Sequence, residues 1–434
     1  MTISGSSRRS HISALTGATL ALTLLLSGCG RSASSDTPTA SASIDNAAAT
    51  GTVTLWAPDG DATALDKVLA GYRTANPDLD LKVTLIPSDD YNTKLQTAIS
   101  SGSAPDIAFV YTEAQTQFLA SKAFAAVPTG LVDSASFFPG SWAAGAYAGA
   151  TYSVPWYAYT RVLIYRKDLA AAGKAAVPTT WDQTVPFLKA LQDGGATKGL
   201  GADVGWDTYN GQDLAVYAYQ AGATLLTSDA TTWDLDNAQV ISAIDYASSP
   251  FTAGVSAVDT PQFLDAQPYF VAGKTGSLIS GPWVIASLDQ TAKQDGWTAA
   301  HVATAVLPKG SSGGAGPLAG GSWVVSASSK NAASAWKVIQ AMAQEPAQVA
   351  QFKAYGSMPA VQAAWKDQSI AGNSLYDAFF EQLKDVKPMP AVPNWNQVST
   401  AIGKELEAVA RGRETAAQAA KNLQSQADSI GVGK

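Results

Sequence analysis

The sequence predicts an α/β fold with parallel strands, large enough for two lobes or for two to three domains. Three observations carry that expectation. Short β-rich runs alternate with segments of helical spacing from position 50 onward. The length, 434 residues, exceeds that of an ordinary single domain. The composition, 46% hydrophobic and 15% charged, is too apolar for a disordered chain and enough to bury a sizeable core.

The elements follow in order. Gly51 to Trp56 alternates and is β-rich, so it reads as a first strand, with Pro58 to Asp61 as the turn after it. Leu65, Val68, Leu69 and Tyr72 have helical spacing, and Asn76-Pro77 stops that helix. Leu81 to Ile86 is a second strand, Asp90 to Ser101 a second helix ending at Gly102, and Ile107 to Tyr111 a third strand. Ligands of such sheets sit beyond the C-terminal strand ends. That places Trp56 to Asp61, Ser88 to Tyr91, and Tyr111 to Glu113 on one rim. An aromatic-rich stretch from Tyr147 to Tyr165 comes next, with Val162 to Tyr165 as another strand. Helices are expected near Thr180–Gln192, Leu214–Ala221, Asn237–Ala247 and Gln262–Ala272. Further strands are expected at Ser277–Ser280, Ala299–Leu307 and Ser322–Ser326. Ala332–Ala343 reads as a helix, as does most of the tail from Val398.

The first residues read as an export signal. Arg8 and Arg9 precede an apolar run, Ile12 to Leu26, that is too short to span a bilayer. It ends in Leu26-Ser27-Gly28-Cys29, which resembles the lipobox of bacterial lipoproteins. There the chain is cut before the Cys and the thiol is lipidated, so residues 1–28 are the expected signal peptide. Residues 29–50, rich in Ser, Ala, Thr and Asp, read as a flexible tether. The formal charge is −7, and losing residues 1–28 removes two Arg and no acid. That balance argues against a nucleic-acid partner. Cleavage also leaves His301 as the one histidine. The 12 Trp and 15 Tyr are the feature that needs a functional account.

Several ordered segments carry a resemblance across nearly the whole chain after the leader. They are Tyr91–Asp106 (YNTKLQTAISSGSAPD), Gly149–Pro155 with Leu163–Gly173, Pro178–Trp181 (PTTW), and Phe270–Trp283 (FVAGKTGSLISGPW). Leu307–Gly310 (LPKG), Gly320–Trp323 (GGSW) and Ser329–Trp336 (SKNAASAW) complete the order. Together they resemble the extracellular solute-binding proteins of ABC importers, in the maltose-binding group. The resemblance implies a two-lobe, type II periplasmic-binding-protein-like fold with the ligand cleft between lobes joined by a multi-crossing hinge. Crossings are expected near Tyr157–Arg161, Ala303–Pro308 and Ala341–Pro346. Lobe I would hold residues 51–159 and 307–342, and lobe II residues 160–306 and 343–434. The implied function is capture of a sugar outside the membrane and its delivery to a permease, without catalysis or cofactor. The expected protein is a monomer on the outer face of the cell membrane, anchored through Cys29.

Aromatic rings and carboxylates suit a sugar. Flat rings cover the C–H faces of a pyranose, and acids or amides take its hydroxyls in directional hydrogen bonds. A cleft acid with no cationic partner suits a neutral polyol. By motif position the resemblance implies ligand contacts from Trp283, Trp395, Trp323, Glu113, Asp59 and Asp61. Asp89, Tyr159, Trp156, Trp206, Tyr209 and Gly321 complete the candidate set. Tyr159 stands where maltose binders have a hinge Glu, and Val110 where they have a stacking Trp, so maltose itself is in doubt. Asp59, Asp61 and Asp89 could equally cap helices. Trp56, Trp142, Trp181, Trp297, Trp336 and Trp365 are assigned to packing or surface.

Catalytic motifs fail on inspection. Gly273-Lys274-Thr275 lacks the first Gly of a P-loop, which would fall on Pro268. Gly310 to Gly314 fits G-x-S-x-G formally, but His301 precedes it, and a hydrolase of that kind needs its His downstream. No zinc motif is present, and no metal is expected. Two other classes stay open from residues alone: a secreted glycoside-active enzyme, and a binder of a non-sugar solute such as a polyamine.

Overall fold

The computed structural model describes residues 44–201, 206, 208–259, 261 and 265–433, with only the backbone of Asp89 and of residues 208–210. The expected signal peptide and Cys29 lie outside the described residues. Residues 44–50, expected to belong to the tether, are docked. Ala49 is buried, its N–H donates to Asn76 Oδ1 at 2.8 Å, and Lys337 pairs with Asp45.

Strand β1 (Gly51–Pro58) buries Val53 and Leu55 and turns Thr52 outward. Helix α1 (Asp59–Val68) follows directly, earlier and shorter than the apolar spacing suggested. β2 (Leu79–Ile86), α2 (Ser88–Ser101), β3 (Ile107–Tyr111) and α3 (Thr112–Ala120) continue the alternation. α2 stops at Gly102, whose φ of 70° is left-handed and suits glycine. Then come β4 (Ser153–Tyr159), β5 (Val162–Arg166), β6 (Lys198–Leu200), α4 (Thr208–Ala221) and α5 (Ala238–Thr252). The second half holds β7 (Thr275–Ser280), α6 (Pro282–Ala292), β8 (Val302–Ala305), β9 (Ala319–Val325) and α7 (Ala332–Met342). α8 (Glu345–Tyr355), α9 (Trp395–Ala410) and α10 (Ala416–Ile430) complete it. The strand expected over Ala299–Leu307 is shorter, because Trp297–His301 forms a helical turn.

Two sheets organise the chain. The first has the order β2-β1-β3-β9-β4, and the second β8-β5-β7-β6. β1 pairs parallel with β2 and β3, as the alternation predicts, while β9 joins β3 and β4 antiparallel. Phe109, Trp156, Trp323 and Trp336 are fully buried in the core around the first sheet. A separate core joins α4, α5, α9 and α10.

The chain passes between the sheets three times. Thr160 and Arg161 join β4 to β5, residues 306–318 join β8 to β9, and residues 384–394 lead to α9. The last two passages pair in a short ribbon, Gly316↔Val386 and Pro317↔Lys387. Gln382, 2% exposed, bonds to three segments of these passages. It accepts from Leu307 N at 2.8 Å and donates to Gly314 O at 2.8 Å and Asp385 O at 3.1 Å.

The third crossing corrects the expected lobe boundary. Most of residues 345–383 pack with the first sheet, while Leu375 O accepts from Thr304 Oγ1 of β8 at 3.0 Å. Gln348 donates to Pro155 O and accepts from Ala360 N, Ala158 N donates to Met358 O, and Phe138 packs on Trp365 and Phe380. These contacts place α8 and the segment up to Leu383 on the first sheet.

Candidate functional site

The strand ends of both sheets meet around a cavity of about 350 Å³, lined by Glu113, Tyr159, Thr160, Arg161, Gln212, Trp283, Pro317 and Ala319. Each wall follows from local sequence. Tyr159 ends β4, and the two residues before β5 necessarily fall at the junction. Trp283 enters α6 behind Gly281-Pro282, with Pro at the first helical position. Its indole folds back over Gly281, where a Cβ would lie 1.9 Å from the ring, so the Gly permits the pose. Trp283 is 38% exposed, with the Tyr159 ring set edge-on to it at 5.3 Å and 86°. Tyr157 stacks behind Tyr159 at 6.2 Å.

Glu113 lies in the first turn of α3. Its side chain reaches solvent but has protein on every side of the cleft. Desolvation therefore pushes its carboxyl above the ordinary value. Arg161 donates to Asp213 at 2.8 Å, and both side chains are mostly buried. A cation therefore lines the cleft, with its charge answered locally. A smaller cavity of about 120 Å³ lies on the other side of Glu113, lined also by Gln115, Met389 and Trp395.

The candidate residues divide. Glu113, Tyr159 and Trp283 converge on the larger cavity. Trp395 reaches the smaller one but is 3% exposed and packs on Trp233 at 6.2 Å, so it offers no free face. Trp323 and Trp156 are core residues, each 1% exposed and 5.8 Å apart. A ring enclosed on both sides cannot stack on a solute, which corrects both expectations. Gly321 is close-packed against Phe109, where a Cβ would fall 1.8 Å from the ring, so its small size serves the sheet. Asp59 accepts from Ser88 N at 2.8 Å and from its Oγ at 3.1 Å, tying the first rim turn to α2. Asp61 is 2% exposed and accepts from Trp156 Nε1 at 3.0 Å and Gln351 Nε2 at 2.8 Å, so it lies behind the cleft wall. Trp206 donates to Val258 O at 3.2 Å and packs on Phe251, within the helical lobe. The side chains of Asp89 and Tyr209 lie outside the described residues.

Sequence reasoning missed Thr160, Arg161, Gln212 and Asp213. The signal for the first two was present, since a strand break at a crossing must place its residues between the sheets. Among the described residues, no group of three or more His, Cys, Asp or Glu could hold a metal ion.

The profile of the family described as bacterial extracellular solute-binding protein matches residues 57–349. The chain belongs to that family. This solute-binding protein is similar in structure to the sugar-binding protein MalE of Xanthomonas citri. The TM-score is 0.81 at 26% identity, covering 88% of this chain and 97% of that one. It also matches the cyclic α-maltosyl-1,6-maltose binding protein of Arthrobacter globiformis. There the TM-score is 0.76 at 20% identity, over 88% and 99% of the two chains. In sequence it is 27% identical to the maltodextrin-binding protein MdxE of Bacillus subtilis over 281 residues, 62% of this chain and 64% of the relative. The fold of the solute-binding protein is the type II periplasmic-binding-protein fold of these neighbours.

Proposed function

We propose that this extracellular solute-binding protein captures a sugar and delivers it to the permease of an ABC importer, held at the membrane by a lipid on Cys29. The observation that carries the sugar is the pairing of Trp283 and Tyr159 above Glu113 in one cavity. A half-exposed indole covers a pyranose C–H face, and the perpendicular tyrosine closes the side of that platform. Glu113 supplies a charge-assisted acceptor for hydroxyls, and Gln212 both accepts and donates. The ion pair of Arg161 and Asp213 presents donors and acceptors without net charge, which favours a neutral, hydroxyl-rich solute. Relatives bearing the names maltodextrin-binding and galactooligosaccharide-binding protein support the same class.

The test is calorimetric titration of the purified protein with a panel of neutral mono- and oligosaccharides, beside a polyamine, with the sugars re-analysed afterwards. Saturable binding of an unchanged sugar is the expected result. Binding of the polyamine alone, or cleavage of a sugar, would overturn the proposal.

A further inference from the structure

Asp61 lies outside the cleft but has surroundings suited to a proton. It sits in the first turn of α1, 2% exposed. Its donors are Trp156 Nε1 and Gln351 Nε2, both neutral, and the neutral Tyr157 hydroxyl also favours its ionised form. The ionisable groups around it are Asp59 on α1, Tyr91 on α2, Tyr111 on β3, Tyr157 on β4 and Tyr355 on α8. All are acids or phenols. Lys67, further along α1, lines an outer groove, and Lys353 on α8 pairs with Asp367 at 3.2 Å. Among the described residues no cation pairs with Asp61. Burial without a counter-charge pushes its carboxyl up to about 7, the neutral bonds opposing that only in part.

A second observation is independent of that titration. Gln351 Oε1 is buried and has no hydrogen-bond partner. Leaving an acceptor unmet inside a protein is costly, and such atoms are uncommon. The Gln351 amide already gives its N–H to Asp61 Oδ1. The same planar group holds the orphaned oxygen. A carboxylic acid offers what is missing, an O–H beside an acceptor oxygen, and so can meet both ends of a carboxamide.

We propose that Asp61 and Gln351 form a proton-holding pair, acid against amide, that fastens α8 to α1 and, through Trp156, to strand β4 of the cleft wall, and loosens when the proton leaves to water. Protonated, Asp61 keeps its two accepted bonds on Oδ1 and donates from the other oxygen to Gln351 Oε1. Ionised, it leaves a buried charge facing an unmet carbonyl. The contact reaches the cleft, because Trp156, which bonds to Asp61, is followed on β4 by Tyr157, whose ring stacks on Tyr159, and Tyr159 meets Trp283. Asp61 is therefore a positioning residue for that wall.

The test needs no solute, so its outcome is separate from that of sugar binding. Asp61→Asn copies the protonated state, since its amide can accept from Trp156 and Gln351 and donate to Gln351 Oε1. Infrared difference spectra in a Glu414→Gln background, which removes the other carboxyl that titrates near neutrality, should contain a protonated-carboxyl band that is lost near neutral pH and absent once D61N is added. Thermal midpoints measured from about pH 5.5 to about pH 8.5 should fall by several degrees more in the wild type than in D61N. If D61N fails to fold, Gln351→Met replaces it. Removing the amide should shift the pH at which the band is lost. A Glu414→Gln protein without the band, a D61N slope equal to the wild type, or a Q351M band unmoved would each overturn the proposal.

Discussion

Trp283 and Trp323 make the residue-scale contrast. Both follow a glycine-containing motif, GPW and GGSW, and the resemblance assigned both to the ligand. One is 38% exposed and the other 1%. Truncation should separate them. Trp283→Ala should weaken sugar binding at least tenfold, about 1.4 kcal/mol, in titrations of a protein whose unfolding curve is unchanged. Trp323→Ala should instead cost roughly 3–5 kcal/mol of stability in urea unfolding, with the affinity of the folded fraction nearly kept. A Trp323→Ala protein of normal stability that binds no sugar would reverse the assignment. The difference had a signal in the sequence. From Gly320 to Val325 the run GGSWVV carries no charge and no polar–apolar alternation, which marks a strand covered on both faces. For Trp283 the legible part was Pro282 at the start of a helix. The pose of the ring over Gly281 was not legible, because it depends on a backbone angle rather than on residue type.

At the scale of elements, β1 to β3 were readable because alternation and turn residues agree there with burial. α8 was misplaced. It buries Gln348 and Gln351 against the first sheet, so the hydrophobic spacing that guides a sequence reading is missing from the face that matters. The junction of α9 and α10 holds a partly buried polar cluster. Asn422 Nδ2 donates to Glu414 at 2.8 Å and to Glu405 at 3.2 Å, and Gln426 donates to Glu405 at 2.7 Å. Desolvation, then the bond to Glu405, lifts Glu414 to about 7. An acid raised above its unfolded value binds its proton more tightly when folded. That stability is present at low pH and is lost as pH rises through about 7. Glu414→Gln should therefore raise the thermal midpoint at pH 8 and leave it nearly unchanged at pH 5, as read by calorimetry. An equal shift at both values would contradict this.

For the whole molecule, the architecture was legible and the path of the chain between lobes only partly so. The passage at Thr160–Arg161 falls inside the stretch expected for it, and the passage over residues 306–318 overlaps the expected Ala303–Pro308 at its start. The third comes some forty residues late, because residues 345–383 return to the first sheet before leaving it. Membrane attachment belongs to this scale too. Among the described residues no helix is long and apolar enough to cross a bilayer. Cys29→Ala should move the exported protein from the membrane pellet to the soluble fraction in cell fractionation, with sugar affinity unchanged. Retention in the pellet would count against the lipid.

Gln382 bears on how such a molecule can bend. One side-chain amide holds Leu307, Gly314 and Asp385, and Gly316 lies so close that an added methyl group would collide with Gln382 and Thr160. Two strands of a rope knotted at one point cannot slacken separately, and a third lies against the knot through Gly316. Rotation at either knotted passage must be shared by the other, which narrows the ways in which the lobes can move, with the fulcrum at that glutamine.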